Sequence, residues 1–265
     1  MEELLTYQSV EVSFNGLPVT HDVSFTLHSG EILGIVGESG SGKSTLLKAA
    51  MGLLGNGGLV TRGDIWFQGR DLPDLKEKEM RKIRGAEIGM IFQDAGASLC
   101  PIRTIGDQIY ESMIAHETIT REKAKEKALS LFEKLQFRNG QRIWDSYPFE
   151  LSGGMNQRAG IAISMLMEPS VLLADEPTSA LDVAVQKQVV QEMLHLRGIF
   201  GTAIMLVTHD IGVVSAMADT VLVLKDGHVM EYGPIQQVLQ APQDPIHRNC
   251  WTQYQNSGGH RWNLF

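Results

Sequence analysis

Gly37-Glu38-Ser39-Gly40-Ser41-Gly42-Lys43-Ser44 follows the apolar run Ile32-Leu33-Gly34-Ile35-Val36 and opens into Thr45-Leu46-Leu47-Lys48-Ala49-Ala50-Met51. Strand, glycine loop and helix, in that order, are the context of a phosphate-binding loop. Glycines let successive backbone N–H groups turn toward one point, because no Cβ blocks the approach. The helix N-terminus adds the positive end of its dipole. Lys43 is placed to reach the β and γ phosphates, and the Ser44 hydroxyl to ligate Mg²⁺. Gly37 to Ser44, with Glu38, Ser39, Gly40, Ser41 and Gly42 between, and Thr45 after them are the candidate nucleotide-binding residues.

Upstream of this loop, residues 4 to 30 alternate as half-buried strands do. Val10, Val12 and Phe14 share one face, and Val23, Phe25 and Leu27 another. Asn15-Gly16 between them signals a turn. A small antiparallel sheet is expected to lead into the loop strand, with Asp64 to Gly69 continuing it. A short exposed helix is expected within 74 to 84, and a buried strand over Ile88 to Phe92, ending at Gln93. From about 95 to 167 the character becomes helical. Thr104 to Ala115 reads as one helix. Thr120 caps another, with Ala124, Ala128, Leu131, Phe132 and Leu135 on one stripe. A further helix starts near Gly154. Val171 to Ala174 and Ala203 to Val207 read as strands, with a helix from about Val183 to Leu196. Asp226-Gly227 is a type I′ hairpin signal between two strands.

Four apolar runs each end in chemistry. Ile32 to Val36 leads to the glycine loop, Ile88 to Phe92 to Gln93, Val171 to Ala174 to Asp175-Glu176, and Ala203 to Thr208 to His209. Uniformly apolar strands are typical of a parallel sheet covered on both faces, and ligands bind at the carboxyl ends of such strands. If the four are neighbours, Lys43, Gln93, Asp175, Glu176 and His209 converge on one nucleotide. Phosphoryl transfer to water needs positioning, charge neutralisation and a base. Asp175 is the candidate Mg²⁺ ligand with Ser44, and Glu176 the general base. Gln93 is placed to contact both metal and water, and His209 to hydrogen-bond the γ phosphate. Singly, a Gln or His at a strand end is usually solvated or capping a helix; the joint pattern carries the reading.

The 265 residues, 43% of them hydrophobic, suffice for one large α/β domain or a core with an inserted subdomain. Thirty-one acidic residues against 23 basic leave a net charge of −8, the opposite of a nucleic-acid coat. Two cysteines, Cys100 and Cys250, exclude a disulfide scaffold and a Cys₄ metal site, and a reducing, cytoplasmic setting is expected. The start, Met1-Glu2-Glu3, carries no signal-peptide pattern. No window approaches the roughly 18 apolar residues of a membrane span, so a membrane role would be a peripheral one.

Leu151-Ser152-Gly153-Gly154-Met155-Asn156-Gln157-Arg158 is the most specific stretch after the glycine loop. Here the chain resembles the ATP-binding subunit of an ABC transporter, over roughly residues 4 to 240 and with every motif in family order. The resemblance implies a P-loop NTPase core, mostly parallel sheet with helices, bearing an N-terminal antiparallel β-subdomain and an inserted α-helical subdomain. It makes Gly37–Ser44 the Walker A loop, Gln93 the Q-loop glutamine, Leu151 the start of the signature, Val171–Asp175 Walker B, and Glu176 the catalytic glutamate. Ser179-Ala180-Leu181-Asp182 becomes the D-loop and His209 the switch histidine. Phe14 matches the aromatic that stacks on adenine; the bland alternative is a core Phe on an alternating strand. Ser152, Gly153 and Gly154 precede a helix and form a second anion site. In the family, this site covers the ATP held by the other subunit of a head-to-tail dimer. ATP and Mg²⁺ are the implied ligands. The implied partners are a second ATP-binding subunit (a paralogue or the chain itself), two transmembrane permease subunits and, indirectly, an extracellular substrate-binding protein. The location would be the cytoplasmic face of the inner membrane.

Tyr147-Pro148-Phe149-Glu150 before the signature, Gln157-Arg158 after it, and Phe92-Gln93-Asp94 followed by Ser98-Leu99 resemble the peptide and nickel importer group. The chain departs from that group at Ala95 (usually Pro), at Cys100 (usually Asn) and from the general family at Met155 (Gln). The first two are expected to tune contact with the membrane partner. The ATP-binding domain is expected over 1–245, with the helical subdomain at about 95–167 and a short tail over 246–265. Peptide-type members often carry a longer C-terminal extension, sometimes with a cysteine cluster that is absent here; the expected cargo is nickel, a metal chelate, or di- or oligopeptides, with the shorter tail tilting it slightly toward nickel or a metallophore. His247, Cys250 and His260 match no zinc spacing and read as unrelated polar residues. The alternative function is an ABC-type ATPase of DNA repair or chromosome maintenance. Such proteins insert long coiled coils or zinc modules between Walker A and the signature, and this interval holds neither. A tandem translation factor would need a second cassette. A regulatory binder would lack Glu176. A small GTPase would need an Asn-Lys-x-Asp motif that is absent here.

Overall fold

A computed structural model describes residues 2–179 and 181–240. The elements in chain order are β1 (Glu3–Phe14), β2 (Leu17–His28), β3 (Ile32–Val36), α1 (Lys43–Ala50), β4 (Gly58–Phe67), β5 (Arg70–Asp71), α2 (Glu77–Ile83), β6 (Ile88–Ile91), α3 (Ala95–Ser98), α4 (Ile105–Ile114), α5 (Arg121–Lys134), α6 (Gly140–Asp145), α7 (Gly153–Met165), β7 (Val171–Asp175), α8 (Val183–Phe200), β8 (Ala203–Val207), α9 (Ile211–Met217), β9 (Thr220–Lys225), β10 (His228–Pro234) and α10 (Ile235–Gln240).

The strands lie in the order β5-β4-β1-β2-β10-β9-β3-β8-β7-β6. β3, β8, β7 and β6 are consecutive and parallel, with Ile32 opposite Ile204, Val171 opposite Ala203 and Ile88 opposite Val171. The four runs whose polar ends drew attention are therefore neighbours, and their carboxyl ends share one edge. β1, β2, β4 and β5 are antiparallel. This layer meets the parallel part through β2 and β10 at His21 and His228, whose rings stack with centroids 4.3 Å apart.

Side-chain alternation assigns each strand residue to a face. Ile32, Leu172, Ala174, Ile204 and Leu206 point into one apolar cluster, with α4 to α9. Leu33, Ile35, Val171, Leu173, Met205 and Val207 point into the other, with α1 and the antiparallel layer. Every residue of β3, β7 and β8 is buried, as double coverage of a parallel sheet requires. Burying each such aliphatic side chain contributes roughly 1.5–3 kcal/mol. Tyr7 ties α1 to β1 by donating its hydroxyl to Leu46 O at 2.7 Å.

Residues 95 to 165 hold helices α3 to α7 and no strand. Ser and Thr caps start most of the longer ones: Thr104 Oγ1 accepts from Asp107 N, Thr120 Oγ1 from Lys123 N, and Ser152 Oγ from Met155 N. The helix near 74 to 84 is not wholly exposed, since Met80 and Ile83 are buried beneath it. β6 ends at Ile91, which leaves Phe92 exposed. Asp226 and Gly227 both adopt positive φ, 47° and 77°, as the type I′ turn requires. The tail over 246–265, with His247, Cys250 and His260, and Ala180 of the D-loop lie outside the described residues.

Candidate functional site

The glycine loop leaves the carboxyl end of β3 and enters α1 through Gly42, whose φ is 98°. A Cβ on Gly37 would lie 2.0 Å from Leu224 O, so only glycine lets the loop pass β9 there. Lys43 folds back into the loop and donates to Gly37 O at 2.7 Å and Glu38 O at 2.6 Å. It is only 5% exposed. Its pKa lies below the usual lysine value, because burial disfavours the charge more than Glu176, Asp175 and Glu38 favour it. Ser41 Oγ is buried with no hydrogen-bond partner. A buried, unpaired hydroxyl is costly, and an anion seated in the loop would satisfy it. A desolvated ammonium, an orphan hydroxyl and a loop stripped of Cβ atoms fit a polyphosphate.

Ser44 Oγ donates to Asp175 Oδ1 at 2.7 Å, across from α1 to the end of β7. A hydroxyl and a carboxylate side by side are the hard oxygens Mg²⁺ prefers. Glu176 follows, with its N–H bonded to Val207 O at 2.8 Å and a φ of 45°. That left-handed backbone costs on the order of 1–3 kcal/mol in a non-glycine residue. Glu176 Oε2 lies 2.9 Å from His209 Nδ1. The histidine is thus on the carboxylate itself. Gln93 follows β6 on the same edge and is exposed, without a hydrogen bond to the cluster among the described residues.

Two predicted groups stand apart. Phe14 ends β1 half-buried, its ring over Gly58, where a Cβ would come within 2.8 Å of it. No hydrogen bond among the described residues joins Ser152, Gly153 or Gly154 to the glycine loop. Ser152 is the N-cap of α7, and Gly153 has open space where a Cβ would be. Gly154 serves packing as well, because a Cβ there would sit 2.7 Å from Val185 Cγ1 of α8. Ala95 does not face outward, contrary to the expectation that it tunes a membrane contact. It is 2% exposed and fills the notch left by Gly160, where a Cβ would approach Ala95 Cβ to 2.9 Å. Sequence reasoning missed Glu192, a carboxylate set among the buried Val189, Val190, Met193 and Leu196 of α8. The signal was present, since an acidic residue in an apolar stripe needs a partner.

Among the described residues, no helix is long and apolar enough to cross a membrane. The ABC transporter family profile matches residues 20–179. The chain is 41% identical over 249 residues to the dipeptide transport ATP-binding protein DppD of Lactococcus lactis subsp. cremoris, covering 92% of this chain and 71% of that one. It is 41% identical over 246 residues to the oligopeptide transport ATP-binding protein OppD of Salmonella typhimurium, covering 91% and 73%. The fold superposes with a TM-score of 0.76, at 28% identity, on the ATP-binding cassette MJ0796 in a dimeric post-hydrolysis state bound to ADP and Pi, covering 88% of this chain and 99% of that one. It also superposes on cbiO1 from Clostridium perfringens, with a TM-score of 0.80, 24% identity, and coverage of 97% and 98%.

Proposed function

This chain belongs to the ABC transporter family as an ATP-hydrolysing subunit, and from that premise we propose that it powers a di- or oligopeptide importer through the cluster at the strand ends. The observation that carries the assignment of residues is the pair of contacts Ser44–Asp175 and Glu176–His209 beside the buried Lys43. The loop N–H groups and Lys43 bind the β and γ phosphates. Ser44 and Asp175, with Gln93, hold Mg²⁺, which supplies charge neutralisation on the phosphates. Glu176 takes the proton of the attacking water, and His209 orients Glu176. Phe14 stacks on the adenine.

Ser152, Gly153 and Gly154 make no hydrogen bond to their own loop among the described residues, and in this reading they complete the site of a second ATP-binding subunit placed head to tail. The cassette spans 1–245, with its helical subdomain at about 95–167. Phe92, Ile102 and Phe149, each exposed, on the segment after β6 and just before the signature, are the apolar side chains offered to a permease helix. The subunit works at the inner face of the membrane. Peptide cargo is supported by the relatives' names, against the lean toward nickel taken from the short tail.

The test is uptake of a labelled dipeptide and of nickel in cells lacking the gene, complemented by wild type or by Lys43→Ala. Dipeptide uptake restored only by wild type is the expected result. Restoration of nickel uptake alone would overturn the cargo, and equal rescue by Lys43→Ala would overturn the role of ATP.

A further inference from the structure

Arg158 lies on the buried side of α7 and is 6% exposed. Its guanidinium is ion-paired with Glu192 of α8. It also donates to Leu135 O at the end of α5, at 2.8 Å, and sits 4.2 Å from the centre of the Phe137 ring. One side chain therefore joins three pieces. They are α7, capped by Ser152, the end of α5, and α8, which begins at Val183 just after the Glu176 segment. The two residues before it act alike. Asn156 Nδ2 donates to Pro148 O at 2.9 Å, and Gln157 Oε1 accepts from Ala95 N at 3.4 Å.

Glu192 is 7% exposed. A cavity of about 520 Å³ opens beside the pair, with Arg158 and Gln188 in its wall and Ser152, Leu151 and Met155 at its signature side. Gln188 stands one turn before Glu192 on α8. The charged groups near Glu192 are thus Arg158 from α7, with Arg138, Arg142 and Glu150 farther out around the cavity.

We propose that Arg158 and Glu192 are positioning residues for Ser152: the ionised pair holds α7 against α8 in the orientation that presents the signature to a partner's nucleotide, and loss of the Glu192 charge releases it. The proposal rests on the reading of Ser152 as a phosphate contact for the second subunit. The physical cause is the arginine, which cannot discharge. With Glu192 neutral, Arg158 keeps Leu135 O and the Phe137 ring but loses its counter-charge, and the cavity offers it a route to water. That movement takes the start of α7 with it.

Burial pushes the Glu192 carboxyl up to about 7, against the opposing pull of Arg158 and Gln188. Two opposite pH signatures follow. A carboxyl whose folded pKa is raised contributes stability that is present below its unfolded value and is lost as pH rises through about 7. Turnover needs the charge, so it rises through the same range. A merely structural pair would make turnover follow stability.

The experiment measures ATP hydrolysis by the full chain at saturating ATP between pH 6 and 8, with melting temperature and binding of a fluorescent ADP analogue alongside. Wild-type turnover should rise by about tenfold, as the ionised fraction goes from about one tenth to about nine tenths. Glu192→Gln should stay near the pH 6 rate throughout, melt no lower than wild type and bind the ADP analogue as wild type does. A Glu192→Gln profile equal to wild type would overturn the proposal, as would turnover and melting temperature falling together. A folded Arg158→Met, Glu192→Leu double variant should remain slow; wild-type turnover in it would show that packing suffices without charge. Ser152→Ala separates the two levels. Wild-type turnover in that variant overturns the reading of the signature. A slow Ser152→Ala beside an unchanged Glu192→Gln overturns only the positioning role.

Discussion

At the carboxyl edge of the parallel sheet, Lys43, Ser44, Asp175, Glu176 and His209 are bound to one another or to the loop backbone. At the start of α7, Ser152 bonds only within its own helix among the described residues, and Gly153 faces open space. The first region is assembled within one chain on strands buried on both faces. The second stands at the start of a helix whose later residues Ala159, Ile161, Ala162 and Met165 pack into the core, while Ser152 and Gly153 are exposed. The contrast teaches a division of labour. In the proposed reading, holding nucleotide is built into buried sheet geometry, whereas contacting a partner's nucleotide falls to an exposed helix start.

The sharpest way to break this comparison is Glu176→Gln. It should lower ATP turnover by a factor on the order of 10²–10⁴ while a fluorescent ATP analogue still binds. Lys43→Ala should abolish that binding. If Ser152→Ala abolished binding to the isolated chain as Lys43→Ala does, the division would be wrong.

Packing gives a second, smaller test. Gly106→Ala in α4 would place a Cβ 2.4 Å from the Trp144 ring. Overpacking of this kind costs about 1–3 kcal/mol, seen in chemical denaturation, and it should spare nucleotide binding because it strains the insert alone. Gly154→Ala meets a more yielding neighbour, the Val185 side chain at 2.7 Å. Its cost belongs at the lower end of the same range, and it should slow turnover more than Gly106→Ala does. The smallest effect is Thr120→Ala, which removes the α5 cap and should cost about 1 kcal/mol without changing turnover.

The strand-end site was legible because buried parallel strands are continuous apolar runs, and each of the four ended in a residue able to do chemistry. Their adjacency was a deduction from that pattern, and the sheet order bears it out. The caps Thr104, Thr120 and Ser152 were legible or nearly so, since capping is local. Ala95 and Gly154 were not. Their roles depend on how closely α3 and α8 approach α7, a tertiary distance without a local signature. Glu192 was passed over because a charge on a helix is ordinarily on its solvated side. The short α6 and α9 offered too few turns for a period to show.

The turn at Asp226-Gly227 has a consequence for observing the molecule at work. Gly227 N lies 3.1 Å from Ser41 O in the phosphate loop, while Gly227 O accepts the amide of His21 from the antiparallel layer. The Gly227 amide proton is therefore locked only while the loop keeps its shape. In deuterium exchange it becomes a clock for loop opening. Nucleotide filling the loop should slow it, and the slowing at this one hairpin amide would record occupancy without any label on the nucleotide or the protein.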